Sequence, residues 1–282
     1  MEKIGLLLDS TAITRDDIRS YPFIKIASLG VTIDGVDYQE TAIPQAQMIS
    51  FIHTAKKMST SQPAPGDFLR LFEEYHAEGY THVLVVVLSD KISGTFQSAV
   101  IAKTMVDFPL QIEILSPQVA SFGVALGIPP LAQMIVNGKS FKKIVERARS
   151  LYADAKVMFT LADLMHLFRG GRLNRISALI GTVLRIKPII EMIDGKLQLT
   201  KRERTNQACF QYFLETIDRY REKHSQVAVD VIHMNRAEWA DRLVDAITKK
   251  YPDIEIHRTI YISPVFYVHL GDQGFGIALT GE

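Results

Sequence analysis

Cysteine is almost missing from this chain. One thiol, Cys209, in 282 residues excludes an intramolecular disulfide framework and any cluster of thiolate metal ligands. So little cysteine fits a reducing compartment. Cys209 lies in QACFQYFL, a helical stretch in which the thiol reads as a small apolar residue. Long apolar runs are missing too. The most apolar window, ISALIGTVLRIKPIIEMI, is interrupted by Arg185, Lys187 and Pro188, short of the roughly 18 uninterrupted residues of a membrane span. The few apolar residues before Asp9 are too short for a secretory signal and read as a first strand. The expectation is a cytoplasmic protein.

Charge of one sign is absent as well. Lys plus Arg number 32 against 31 Asp plus Glu, and a net charge of +1 gives no electrostatic reason to expect nucleic acid. Neither phosphate-cradling signature, G-x-x-x-x-G-K-[ST] or G-x-G-x-x-G, occurs, and H-E-x-x-H is missing among eight scattered histidines. The sequence therefore predicts neither a cofactor nor a metal. Hydrophobic content of 47% and charged content of 22% are those of a folded globular chain with a sizeable core.

Short apolar runs end in turn residues: IGLLL before DST, VLVVVL before SDKISG, QIEILS, and VAVDVIHM near 227–234. Amphipathic helices lie between them. PGDFLRLFEEYHAEGY places Phe68, Leu71, Phe72 and Tyr75 at i, i+3, i+4 and i+7, one apolar face. Alternating strands and helices predict an α/β fold with a mostly parallel N-terminal sheet. After about residue 157 a helix ends at Gly170-Gly171 and another follows. IIEMIDGKLQLT then reads as a hairpin across Asp194-Gly195, and a second α/β unit runs from QVAVDVIHM to the C-terminus. Two α/β domains are expected, residues 1–157 and 158–282.

Ligands of open α/β sheets sit beyond the carboxyl ends of the strands. Three hydroxyl-rich loops fall there: Asp9-Ser10-Thr11, Thr60-Ser61-Gln62, and Ser93-Gly94-Thr95. Helix amides with Ser and Thr hydroxyls suit an anion, and Gly94 lets the backbone approach it closely. The same residues are ordinary helix caps, the reading we favour for Ser10, Thr11 and Thr95 taken singly, and for Asp9 a structural role. A nucleophilic Ser93 lacks the G-x-S-x-G elbow. His269 reads as the exposed end of a strand VFYVH before Gly271, and Arg202 and Arg204 in TKRERT share one strand face. Three functions stay open on these residues: an acyl carrier, a serine esterase or thioesterase using Ser93 with His269, and a sugar- or nucleotide-phosphate binder.

In this order and spacing, LLLDSTA, TSQPAPGDF, LSDKISGTFQSA, LMHLFRGGRLNRISALIGTVLRIKPII, DGK, KRERT and ISPVFYVHLGDQGFGIA resemble the DegV family through essentially the whole chain. These are the fatty-acid-binding components of bacterial fatty acid kinases. The resemblance implies two domains holding a long-chain fatty acid in a tunnel between them. It implies a carboxylate held by Ser61, with Thr60 beside it, and Ser93, with the amides near Gly94 and Thr95. His269 and Arg204 match family positions beside the carboxyl group, associated with phosphoryl transfer or partner contact. The chain itself is then no enzyme: a separate ATP-binding kinase makes the acyl phosphate for phospholipid synthesis. SDKI before SGT and GDQGFG after His269 depart from the family pattern, and Asp272 adds a negative charge near the expected carboxylate mouth. Burying about 16 methylenes yields at most on the order of 12 kcal/mol before ordering costs, so the tail can supply affinity and the polar end need only orient the acid.

Overall fold

The computed structural model describes residues 2–14, 18, 20–172, 186–259 and 262–282. The first apolar run becomes β1 (Ile4–Asp9), all six residues buried, as a strand covered on both faces requires. β2 (Ile24–Ala27), β3 (Gly30–Ile33), β4 (Val36–Gln39), α1 (Gln45–Thr54), β5 (Met58–Ser61) and α2 (Pro65–Ala77) follow. β6 (His82–Val86), α3 (Thr95–Thr104) and β7 (Gln111–Leu115) complete a four-stranded parallel sheet in the order β2-β1-β6-β7. Helix α2 buries Phe68, Leu71, Phe72 and Tyr75, the face its spacing predicts. Its first turn is closed by the Ala64 amide donating to the Asp67 carboxylate at 2.8 Å.

Strands β3, β4 and β5 form a separate antiparallel sheet in the order β4-β3-β5, which a mostly parallel half does not anticipate. Its turn is Asp34-Gly35, with φ of 49° and 89°, the left-handed pair that matches hairpin twist. Both strands beside it are only four residues long; β3 buries Val31 and Ile33, whereas β4 is largely exposed.

The stretch FGVALGIPPLAQMIV is two helices, α4 (Phe122–Ala125) and α5 (Ile128–Val136), because prolines open the second. Then come α6 (Phe141–Ala153), β8 (Lys156–Leu161), α7 (Met165–Arg169), β9 (Lys187–Ile193), β10 (Lys196–Glu203) and α8 (Asn206–Arg221). β11 (Val227–Met234), α9 (Ala237–Lys250), β12 (Glu255–Arg258), α10 (Pro264–Leu270) and β13 (Gly274–Gly281) end the chain. Six of these strands make one sheet, β10-β9-β8-β13-β11-β12, antiparallel except for the β11-β12 pair. The β9-β10 hairpin turns on Asp194 and Gly195 as its Asp-Gly pair predicts, and α7 ends at Gly170. The helix expected after Gly171 lies outside the described residues.

Alternation along β11 and β13 divides two apolar clusters between the faces of this sheet. Ile232 and Ala278 join a cluster that also holds Leu6, Val85 and Phe122 from the N-terminal half. Val229, Ile277, Phe213 and Leu243 form the other, and there Cys209 is buried as a core residue, its thiol pushed up by burial.

Candidate functional site

β5 alternates between half-buried and exposed positions, which turns Thr60 inward and leaves Ser61 more open. Across the gap stands α10. The structure places His269 inside this helix, not at the end of a strand, because Pro264 begins a helical turn after Ser263. Thr60 Oγ1 and His269 Nε2 are 2.8 Å apart and hydrogen-bonded. The other ring nitrogen, Nδ1, is buried and has no partner among the described residues. Gly170 lies against it, and a Cβ there would collide with Nδ1. Burial, with the Arg172 charge adding to it, pushes the His269 imidazole down to about 4. The ring is therefore neutral near pH 7.

Thr60, Ser61, Gln62, Ser93, Gly94 and His269 line one cavity of about 330 Å³. Strand β5, the loop after β6 and helix α10 thus meet at one place. Thr95 is buried beside it: its hydroxyl lies 2.9 Å from Ser93 Oγ, which also accepts from the Thr95 amide at 3.3 Å. Gly94 is the residue before the first turn of α3, and a Cβ there would collide with the Gln62 amide. Close approach at Gly94 therefore serves Gln62, which in turn donates to Ser98 Oγ at 3.1 Å. No Ser93–His269 hydrogen bond occurs among the described residues. Ser93 is engaged with Thr95 and His269 with Thr60, so the dyad an esterase needs is not formed.

Arg204 lies just past the end of β10, exposed, and does not line this cavity. Arg172 does, and its guanidinium donates to the Gly170 carbonyl at 2.6 Å. Sequence reasoning missed Arg172 because a single Arg after a glycine pair shows no pattern. Asp272 is not in the cavity wall. Its carboxylate meets His53 Nε2 at 2.9 Å, tying the turn after α10 to α1.

The first loop is structural. Asp9 is fully buried and accepts from the Thr11 amide at 2.8 Å and the Leu88 amide at 2.6 Å. Ser10 accepts from the Leu29 amide at 2.9 Å and donates to a buried carboxylate that sequence reasoning missed, Glu40. Glu40 also accepts from the Ser263 hydroxyl and from the Val265 amide at 3.1 Å, at the start of α10. Burial pushes its carboxyl up to about 7 against the pull of those hydrogen bonds, and the Asp9 charge adds to the rise.

A second cavity adjoins the first and shares Ile92, Leu197, Phe266 and Leu270 with it. Its remaining wall includes Phe122, Val157, Phe159, Met192, Ile232 and Phe275. Its volume is about 40 Å³, on the measure that puts the first cavity at about 330 Å³. It is a narrow apolar slot. Among the described residues no three acidic, His or Cys side chains are grouped to hold a metal, and no helix is long and apolar enough to cross a membrane.

The family model described as "Uncharacterised protein, DegV family" matches residues 3–282. The chain belongs to the DegV family. A DegV domain-containing protein of Listeria innocua is 30% identical over 279 residues, 98% of each chain. Among solved structures, a Bacillus subtilis DegV described as a fatty acid binding protein is 28% identical over the whole of both chains, with a TM-score of 0.89. A DegV family protein from Thermus thermophilus, whose structure is described by its fatty acid binding, is 25% identical over 99% of this chain and 100% of its own, also with a TM-score of 0.89.

Proposed function

We propose that this DegV chain binds one long-chain fatty acid, with the hydrocarbon in the apolar slot and the carboxyl group in the polar cavity. The two spaces form one tunnel, enclosed by domains of residues 1–157 and 158–282. The observation that carries the reading is their shared wall, Ile92, Leu197, Phe266 and Leu270, which joins a polar chamber to a narrow apolar one. A ligand that fills both must be polar at one end and a flexible hydrocarbon at the other. The fatty acid binding described for the Bacillus subtilis and Thermus thermophilus relatives supports the same class.

Thr60, Ser61 and Ser93, with the backbone at Gly94 and Thr95, orient the carboxyl group. Neutral His269 holds the Thr60 hydroxyl beside that group without adding a charge, and Arg172 supplies the counter-charge that keeps it ionised. The chain performs no chemistry on the acid. It presents the carboxylate to a separate ATP-dependent kinase, which makes the acyl phosphate used in phospholipid synthesis. Exposed Arg204 serves contact with that kinase rather than the ligand. Native mass spectrometry and organic extraction of freshly purified protein test the reading. One long-chain fatty acid per chain is expected, and protein that neither carries nor takes up an acyl chain would end the proposal.

A further inference from the structure

Behind the polar cavity lies a cluster of three buried side chains, Asp9, Ser10 and Glu40, each at most 3% exposed. None of them lines the cavity, yet they hold the backbone of three residues that do, Leu29, Leu88 and Val265. Asp9 accepts from the Leu88 amide at 2.6 Å. Ser10 accepts from the Leu29 amide at 2.9 Å, and the Glu40 amide donates to the Leu29 carbonyl at 2.9 Å. The Glu40 carboxylate accepts from the Val265 amide at 3.1 Å. Gly30, next to Leu29, pairs with Ser61 so closely that a Cβ there would collide with Ser61 Oγ. A carboxylate held by Ser61 is then separated from Glu40 by a single apolar layer.

Among the described residues no Lys, Arg or His pairs with Asp9 or Glu40. A buried carboxylate without a cation is stabilised by taking up a proton, and a second carboxylate nearby favours this further. Burial, with the Asp9 charge adding to it, places this change at about 7 for Glu40. The other groups around Glu40 are uncharged: Ser10, the Leu29 backbone, and Ser263 and Val265 at the start of α10. Further along α10, Tyr267 is bonded to Gln45, His269 is neutral near pH 7 and Asp272 is engaged by His53. Arg172 stands in the cavity wall.

Resting on the fatty acid reading above, we propose that Glu40 is a positioning residue whose proton is coupled to the head group. The cavity takes an ionised carboxylate best when Glu40 is neutral, and binding draws a proton from water onto Glu40. Oε1, which faces Ser10, carries that proton, while Oε2 keeps its bonds to Ser263 and Val265 and so holds the wall in place. The coupling is repulsion between two like charges across Leu29, Leu88 and Val265, where the low dielectric screens it poorly. Affinity for the anion therefore falls as pH rises through the Glu40 range, and an uncharged head group feels no such effect.

The test is calorimetric titration of delipidated native protein with dodecanoate and with dodecan-1-ol, in buffers of different ionisation enthalpy. The range is about pH 6 to about pH 8.5, where a carboxylic acid in water stays ionised. Dodecanoate affinity is expected to fall about three- to tenfold across it, with net proton uptake near pH 7, while the alcohol's affinity stays level. Glu40→Gln keeps the side chain's shape and is expected to bind dodecanoate without this pH dependence. Level dodecanoate affinity, a fall shared by the alcohol, or a fall that survives in Glu40→Gln overturns the coupling and leaves fatty acid binding intact. If Glu40→Gln does not fold, the native protein decides: heats that show no proton uptake with dodecanoate overturn the coupling. If the native protein takes neither ligand at any pH, the coupling and the fatty acid reading fall together.

Discussion

Glu40 and Val265 are hydrogen-bonded through carboxylate and amide at 3.1 Å, so a buried acid from the N-terminal half holds the start of the helix that carries His269. The Ser263 hydroxyl donates to the same oxygen. One short helix is thus anchored at its first turn by Glu40 and contributes His269 to the cavity near its last.

The two ends titrate with opposite sign. Glu40 rises from 4.5 to about 7, so its ionisation costs stability as pH climbs between those values, on the order of 3 kcal/mol in all. His269 falls from 6.5 to about 4, so stability is lost as pH drops between those values, by a similar amount. Urea denaturation of the native protein is expected to change little over the window both share. Glu40→Gln should gain stability with rising pH across it, and His269→Asn should lose it. Variants whose profiles run parallel to the native one would contradict both assignments.

Thr60→Val removes the only hydrogen-bond partner that the described residues give the His269 ring. We expect a loss of about 1–3 kcal/mol in denaturation experiments, the cost of orphaning a buried polar group. Thr60→Ser, which restores the hydroxyl, should recover most of it.

Arg172 and Arg204 separate by location. Arg172→Gln removes a charge that holds the His269 ring down, so the ring's NMR titration midpoint should move up and carboxylate affinity should fall. Arg204→Gln should leave both unchanged and, on the proposed handover to a kinase, lower acyl phosphate formation. A drop in acid affinity for Arg204→Gln would return that residue to the cavity.

Gly170 has a φ of −73°, a conformation alanine adopts readily. Gly170→Ala should still destabilise the protein, by about 1–3 kcal/mol, through overpacking against His269. Thermal unfolding in the presence and absence of octadecanoate measures both the loss and its effect on the ligand.

The cavity's hydroxyls were legible from composition, although Thr60 and Ser61, read as a loop, are the last two residues of β5, and only Ser93 sits in a loop after a strand. The conformation around His269 was not legible. Val265, Phe266, Tyr267 and Val268 have the β-branched and aromatic content of a strand, and only Pro264 after Ser263 signals a helix start. The hairpin at Asp194-Gly195 was legible from flanking apolar runs, whereas the same dipeptide at Asp34-Gly35 lies between two four-residue strands, the second largely exposed. Glu40 left no local trace in DYQET. Its burial depends on Ser263, 223 positions away, a partner that only the folded chain brings near.

Ile92, Leu197, Phe266 and Leu270 border head chamber and tail slot alike. On the proposed fatty acid reading, a side-chain change at any of the four should disturb acid orientation and chain fit at once. Met192, Ile232 and Phe275 touch the slot without touching the chamber. On the same reading, divergence among relatives that alters which hydrocarbon is taken, yet spares the proposed handover of its carboxylate, should accumulate at positions such as these three.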